Sequence, residues 1–129
     1  MKLNDIRTFI YNLLAQNFDK EIIFFDNQKA EDLNPTRYHI KLTLEKINKD
    51  LLEIGGGSDL ISGVCKFIVY TPEGFGLSKC FDLLEKIIET FFNKRTEGFF
   101  FGNVEMNNNG LNENFFSFDV SINFEYEAF

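Results

Sequence analysis

Ile6, Phe9, Ile10, Leu13 and Leu14 follow one another at i, i+3, i+4, i+7 and i+8, behind Asn4 and Asp5, which suit an N-cap and a first turn. The spacing predicts an amphipathic helix over residues 5 to 17. Glu21-Ile22-Ile23-Phe24-Phe25 is a short apolar run stopped by Asp26-Asn27; it predicts a brief buried strand, followed by a polar loop to Pro35. From Arg37 the period falls to two. Tyr38, Ile40, Leu42 and Leu44 alternate with His39, Lys41, Thr43 and Glu45, predicting a strand over residues 37 to 45 with one wet face, on which His39 lies.

Residues 46 to 61 fit no single period. Ile47, Leu51, Leu52 and Ile54 suit a short helix as well as a ragged strand, and Gly55-Gly56-Gly57-Ser58-Asp59 is flexible, so a long mobile connection is expected, of a length that is either functional or ordered by a partner. Val64 to Tyr70 is β-rich with one charge, Lys66, and predicts a central strand pairing back on residues 37 to 45. Thr71-Pro72-Glu73-Gly74-Phe75-Gly76 ends it. Cys80, Phe81, Leu84, Ile87, Ile88 and Phe91 then return to helical spacing and predict a second amphipathic helix over residues 77 to 93.

The last third reads as strand. Phe99 to Met106 is one run, Asn107-Asn108-Asn109-Gly110-Leu111-Asn112 carries turn chemistry, and a second run follows. In that second run Phe116, Phe118, Val120, Ile122, Phe124 and Tyr126 alternate with Ser117, Asp119, Ser121, Asn123, Glu125 and Glu127, so one face is apolar and the other polar. The predicted order is α-β-β-β-α-β-β: an α+β fold, two helices packed on one face of a mostly antiparallel sheet.

Composition sharpens this picture. At 129 residues the chain is expected to form a single domain spanning 1–129. No window has the ~18 to 20 uninterrupted apolar residues of a membrane span, and the N-terminal residues turn polar where a signal peptide turns apolar. A net charge of -7 has the wrong sign for tight nucleic-acid binding. The 17 Phe are more than one small core readily hides, and the surplus points to a subunit interface. The two cysteines, Cys65 and Cys80, have no metal-ligand spacing and are expected to be reduced and buried.

Candidate chemistry is sparse. Pro72-Glu73-Gly74-Phe75-Gly76-Leu77-Ser78-Lys79 joins a strand to a helix N-terminus, as phosphate-binding loops do. It has Lys79 where a dinucleotide fingerprint needs its third glycine, and it lacks the Gly-Lys-Ser/Thr of a P-loop. Pro72, Gly74 and Gly76 are therefore read as a structural turn. His39 is the sole histidine, with no second histidine or cysteine beside it for a metal or a triad. Asp82, Glu85 and Glu89, and Asp119, Glu125 and Glu127, are expected on solvated faces. Lys94-Arg95 is expected to answer the C-terminal dipole of the second helix. No catalytic residue, cofactor site or metal site is assigned, and no enzyme activity is expected.

The sequence of elements, together with Ser62-Gly63-Val64-Cys65-Lys66-Phe67-Ile68-Val69-Tyr70-Thr71-Pro72-Glu73-Gly74-Phe75-Gly76, resembles the tail terminator (tail completion) family of long-tailed bacteriophages. In that family a Gly before a β-rich strand, a Pro-x-Gly-x-Gly-type turn and an amphipathic helix form the most recognisable stretch. The helix closing on Phe91-Phe92 and the final alternating strand also match. The resemblance covers most of the chain. It implies a structural virion protein, assembled in the host cytoplasm, that forms a homo-hexameric ring on the end of the tail tube. Such a ring stops tube polymerisation and provides the docking surface for the head. The implied partners are the tail tube protein and a head-neck connector protein.

On that reading Ile47, Leu51, Leu52 and Ile54 are candidate subunit or tail contacts, being too apolar for a freely solvated loop. Phe24, Phe25 and Asn27, on the first strand and the loop after it, are the others. The alternatives are another small tail or neck (head-tail joining) component, or a small ligand-binding or enzymatic α+β domain with the Gly74-Phe75-Gly76 turn lining a pocket.

Overall fold

In a computed structural model of the chain, residues 3–18, 23–25, 37–51, 59–74, 76–112 and 115–128 are described. They form α1 (Leu3–Ala15), β1 (Ile23–Phe25), β2 (His39–Leu51), β3 (Asp59–Pro72), α2 (Leu77–Phe91), β4 (Arg95–Thr96), β5 (Phe99–Asn112) and β6 (Phe115–Ala128). The expected order acquires one element, the two-residue β4. α1 begins at Leu3, which puts Asn4 inside the first turn instead of capping it.

The strands make one mixed six-stranded sheet in the order β1-β2-β3-β6-β5-β4. β1 runs parallel to β2, and the other neighbours are antiparallel. The predicted pairing of the central strand with residues 37 to 45 is present, with Leu42 opposite Phe67 and Ile40 opposite Val69. Ile40, Leu42, Cys65, Phe67, Val69, Val120, Ile122 and Phe124 share one buried cluster with Ile6, Ile10 and Leu14 of α1 and Leu84, Ile87 and Phe91 of α2. This follows from period 2 meeting period 3.6: each element has a single apolar side to bury. Aromatic stacking links the layers, with Phe67 on Phe91 at 4.8 Å and Phe9 on Phe99 at 4.3 Å between ring centroids.

Two expectations about connections are corrected. Residues 46 to 51 and 59 to 61 are not a mobile connection but continue β2 and β3, with Asn48 opposite Ser62 and Leu51 opposite Asp59. Residues 52–58, with Leu52, Ile54 and the glycine run, lie outside the described residues. A bulge between Glu45 and Asn48, with Lys46 at φ 53°, breaks the alternation and so hides the strand from a period-2 reading. Likewise, residues 107 to 112 are not a turn. They extend β5, with Asn107 opposite Asp119 and Leu111 opposite Phe116.

The polar face is not uniformly wet. His39, expected exposed, is 5 % accessible, and Asp119, also expected solvated, is 2 % accessible. The reason is a second aromatic layer on the far side of the sheet: Phe24 and Phe115 meet the His39 ring edge-on at 6.5 and 5.9 Å, and Tyr70 lies against both. Asp119 is held by Asn107 Nδ2 and Asn109 Nδ2, which donate to its two carboxylate oxygens at 3.2 and 3.0 Å. Lys66 Nζ stands 3.9 Å from Asp119 and 3.7 Å from Glu45. Burial of the carboxylate is tolerated because its oxygens are so satisfied.

Candidate interaction surfaces

β6 has 14 residues and α2 has 15, which at their different rises correspond to ~45 Å of strand but only ~22 Å of helix. The helices therefore cover part of the sheet. Apolar side chains are exposed in both layers: Leu77 and Phe81 of α2 and Met106 and Leu111 of β5. Phe81, assigned by its spacing to the buried face of the second helix, is in fact 44 % accessible and meets half-buried Phe118 at 5.3 Å.

The Pro72–Gly76 turn lies at this end of the sheet. A groove of about 290 Å³ runs beside it, lined by Pro72, Glu73, Leu77, Leu111 and Phe116 among others. Gly74 and Gly76 have φ of 95° and 82°, in the left-handed region open to glycine, and a Cβ at either would meet nothing within 4 Å. Their role is conformational, to turn β3 into α2. Gly76 stands at the N-cap without a side-chain hydrogen bond. Phe75 lies outside the described residues. Gly74→Val is expected to lower stability by about 1 kcal/mol or more through φ strain alone. ATP and NAD are expected to leave the wild-type melting temperature unmoved. A melting shift with either nucleotide would overturn the structural reading of the turn.

The opposite end of the sheet carries a larger hollow, about 540 Å³, lined by Leu60, Arg95, Glu97, Phe100, Glu125 and Glu127 among others. Arg95, expected beside the C-terminal dipole of α2, lies instead in β4 with its guanidinium 4.3 Å from the centre of the Phe100 ring. Glu125 and Glu127 are exposed here, as Asp82, Glu85 and Glu89 are on α2.

The contact candidates among the described residues, Phe24, Phe25, Ile47 and Leu51, fall at different places along the sheet. Phe24 is buried against His39 and Tyr70 within its own chain, and Phe25 is half-buried beneath the Arg7 guanidinium, 4.8 Å from its ring centre. Both face the start of β2, opposite Lys41 and Leu42. Ile47 is exposed on the bulge, and Leu51 closes β2, roughly 30 Å of strand beyond Leu42. Asn27, Leu52 and Ile54 lie outside the described residues. Pattern reading missed Met106 and Leu111; the signal for them was two apolar residues flanking and entering a run of asparagines otherwise read as a turn.

Cys65 and Cys80 are free and buried, as expected. Cys65 Sγ donates to the Ile122 carbonyl at 3.3 Å, and desolvation pushes both thiols above their ordinary range. Among the described residues no group of three His, Cys, Asp or Glu side chains is placed to hold a metal ion, and no helix is long and apolar enough to cross a membrane. No protein-family model matches the chain, and no curated protein matches it.

Proposed function

We propose that this protein is a structural tail component of a long-tailed bacteriophage, acting by assembly and not by catalysis. Six copies form a ring on the end of the completed tail tube, stop its polymerisation and give the head-neck connector its docking surface. The subunit is an α+β domain with its two helices on one face of a mostly antiparallel sheet. It assembles in the host cytoplasm and resides in the virion tail.

The observation that carries this reading is the set of exposed apolar side chains, Leu77 and Phe81 on α2 and Met106 and Leu111 on β5, from which a lone domain gains nothing. The net charge of -7 suits a surface past which DNA slides without sticking. The Ser62–Gly76 stretch supports the family resemblance through Gly74 and Gly76 at positive φ, and through Gly63 opposite a bulge, where a Cβ would crowd the Phe124 ring and the Glu45 carbonyl.

Adding the purified protein to polymerising tail tube protein tests the proposal. Tube growth, followed by electron microscopy, is expected to stop, with density for a ring at the tube end. Undiminished growth with no ring would overturn it. Binding to the connector without any effect on tube length would favour a neck component instead.

A further inference from the structure

We propose that the outer edge of β5, from Gly102 to Leu111, is a self-association seam that takes an antiparallel strand from a second copy of this chain. β4 and Lys94 before it cover the β5 edge only from Phe99 to Phe101, and among the described residues no strand lies beyond it further along. An uncovered edge presents a row of backbone donors and acceptors that only another extended strand satisfies in register. Irregularities between Phe101 and Val104 and between Asn108 and Gly110 bracket a regular run of five residues, Val104 to Asn108. Met106 is its centre.

The side chains of this run select the occupant. Val104 and Met106 stand opposite Ile122 and Val120, so they lie on the helix side of the sheet, where Met106 is 55 % and Leu111 56 % accessible. Leu77 of α2 lines one groove with Leu111, and Phe81 of α2 meets Phe118, which stands opposite Asn108, so exposed apolar side chains of α2 lie beside those of β5. Glu105 is the one charge between Gly102 and Leu111, in a chain where 26 % of residues are charged and the net charge is -7. A net charge of -7 sets two copies against each other, and this stretch adds little to that repulsion, since its one carboxylate faces an asparagine and meets its counterpart only diagonally.

Antiparallel pairing of identical strands is twofold, and facing residues in such a pair lie on the same side of the sheet. The regular run then meets itself about Met106. Met106 packs on its counterpart, Val104 faces Asn108, and Glu105 faces Asn107, so no like charges oppose each other. The two sheets join into one, with both helical layers on the same side. Strand pairing over five residues is too small for a stable dimer alone, and the exposed side chains of Leu77, Phe81 and Leu111 supply the rest of the buried area. This seam does not rest on the ring proposal and needs no tail tube.

Sedimentation of the full chain tests it, with circular dichroism to confirm folding. The wild type is expected to self-associate with rising concentration. Met106→Lys, at an exposed position, is expected to stay folded and to weaken association by about tenfold or more, since it sets two like charges face to face. Met106→Glu should do the same, and an equimolar mixture of the two variants should associate again. Overturning results are a wild type that stays monomeric up to its solubility limit, a Met106→Lys protein that associates as the wild type does, or a mixture that fails to recover. A hexamer untouched by Met106→Lys would overturn the seam and leave the ring proposal standing. A dimer lost in Met106→Lys supports the seam whatever happens at the tube end.

Discussion

Phe67→Ala is expected to lower the free energy of unfolding by about 3 to 5 kcal/mol, as large-to-small changes at fully buried aromatic sites do. Phe67 has no accessible surface, stacks on Phe91, and sits between Leu42 and Val120 on neighbouring strands. The ring is held from three directions, so the cavity cannot collapse without moving β2, β6 or α2. Urea titration would show the loss as a lower midpoint at nearly constant slope. Phe118→Ala, at the half-buried margin, should cost clearly less, and Ser121→Ala should stay within about 0.5 kcal/mol. Equal losses at Phe67 and Phe118 would mean that the core does not lie where the strand registers place it.

Gly63→Val is expected to destabilise by about 2 to 3 kcal/mol, as overpacking of a filled interior does. A Cβ there would lie 3.0 Å from the Phe124 ring and 3.2 Å from the Glu45 carbonyl oxygen. The ring is itself buried, and the carbonyl belongs to the backbone of β2, so neither yields cheaply. The cause is the bulge: Gly63 alone faces Lys46 and Ile47, between Val64 paired with Glu45 and Ser62 paired with Asn48. Valine ordinarily favours strands by a fraction of a kcal/mol, which the clash outweighs. Gly102→Val is the control, since its nearest neighbour is the side chain of Phe100 at 3.4 Å, and thermal melting should barely change. A stable Gly63→Val protein would rule out the close approach at the bulge.

Such bulges explain much of what pattern reading did not see. The extra residue in β2 shifts every later side chain to the other face, so residues 46 to 51 lose their alternation while remaining strand. In β5 the asparagines carry strong turn propensity, yet Asn107 and Asn109 spend their amides on Asp119 across the sheet. A propensity of a few tenths of a kcal/mol yields to hydrogen bonds on a buried carboxylate. His39 shows the same limit from the other side. Its alternation placed it on the face opposite Ile40 and Leu42, expected to be wet, and nothing local announced that Phe24 and Phe115 would close over it.

The interaction surfaces divide similarly. Pro72, Gly74 and Gly76 were legible as a turn because proline and glycine act through their own backbone angles. The exposure of Phe81, Met106 and Leu111 was not legible, because it depends on which elements lie beside them: Met106 and Leu111 stand on β5 beyond its pairing with β4, and Phe81 lies against half-buried Phe118.

By itself the sequence determined the two helices and most of their buried faces, Phe81 excepted, the pairing of the central strand with residues 37 to 45, the turn after Pro72 and the apolar face of the last strand. Each rests on a period or a backbone angle set within a few residues. Only the tertiary structure decided the full length of β2 and β5, the burial of His39 and Asp119, and the uncovered edge with its exposed apolar side chains. Those follow from which strand lies beside which and how far each layer extends, and contacts between residues distant in the chain leave no periodic trace along it.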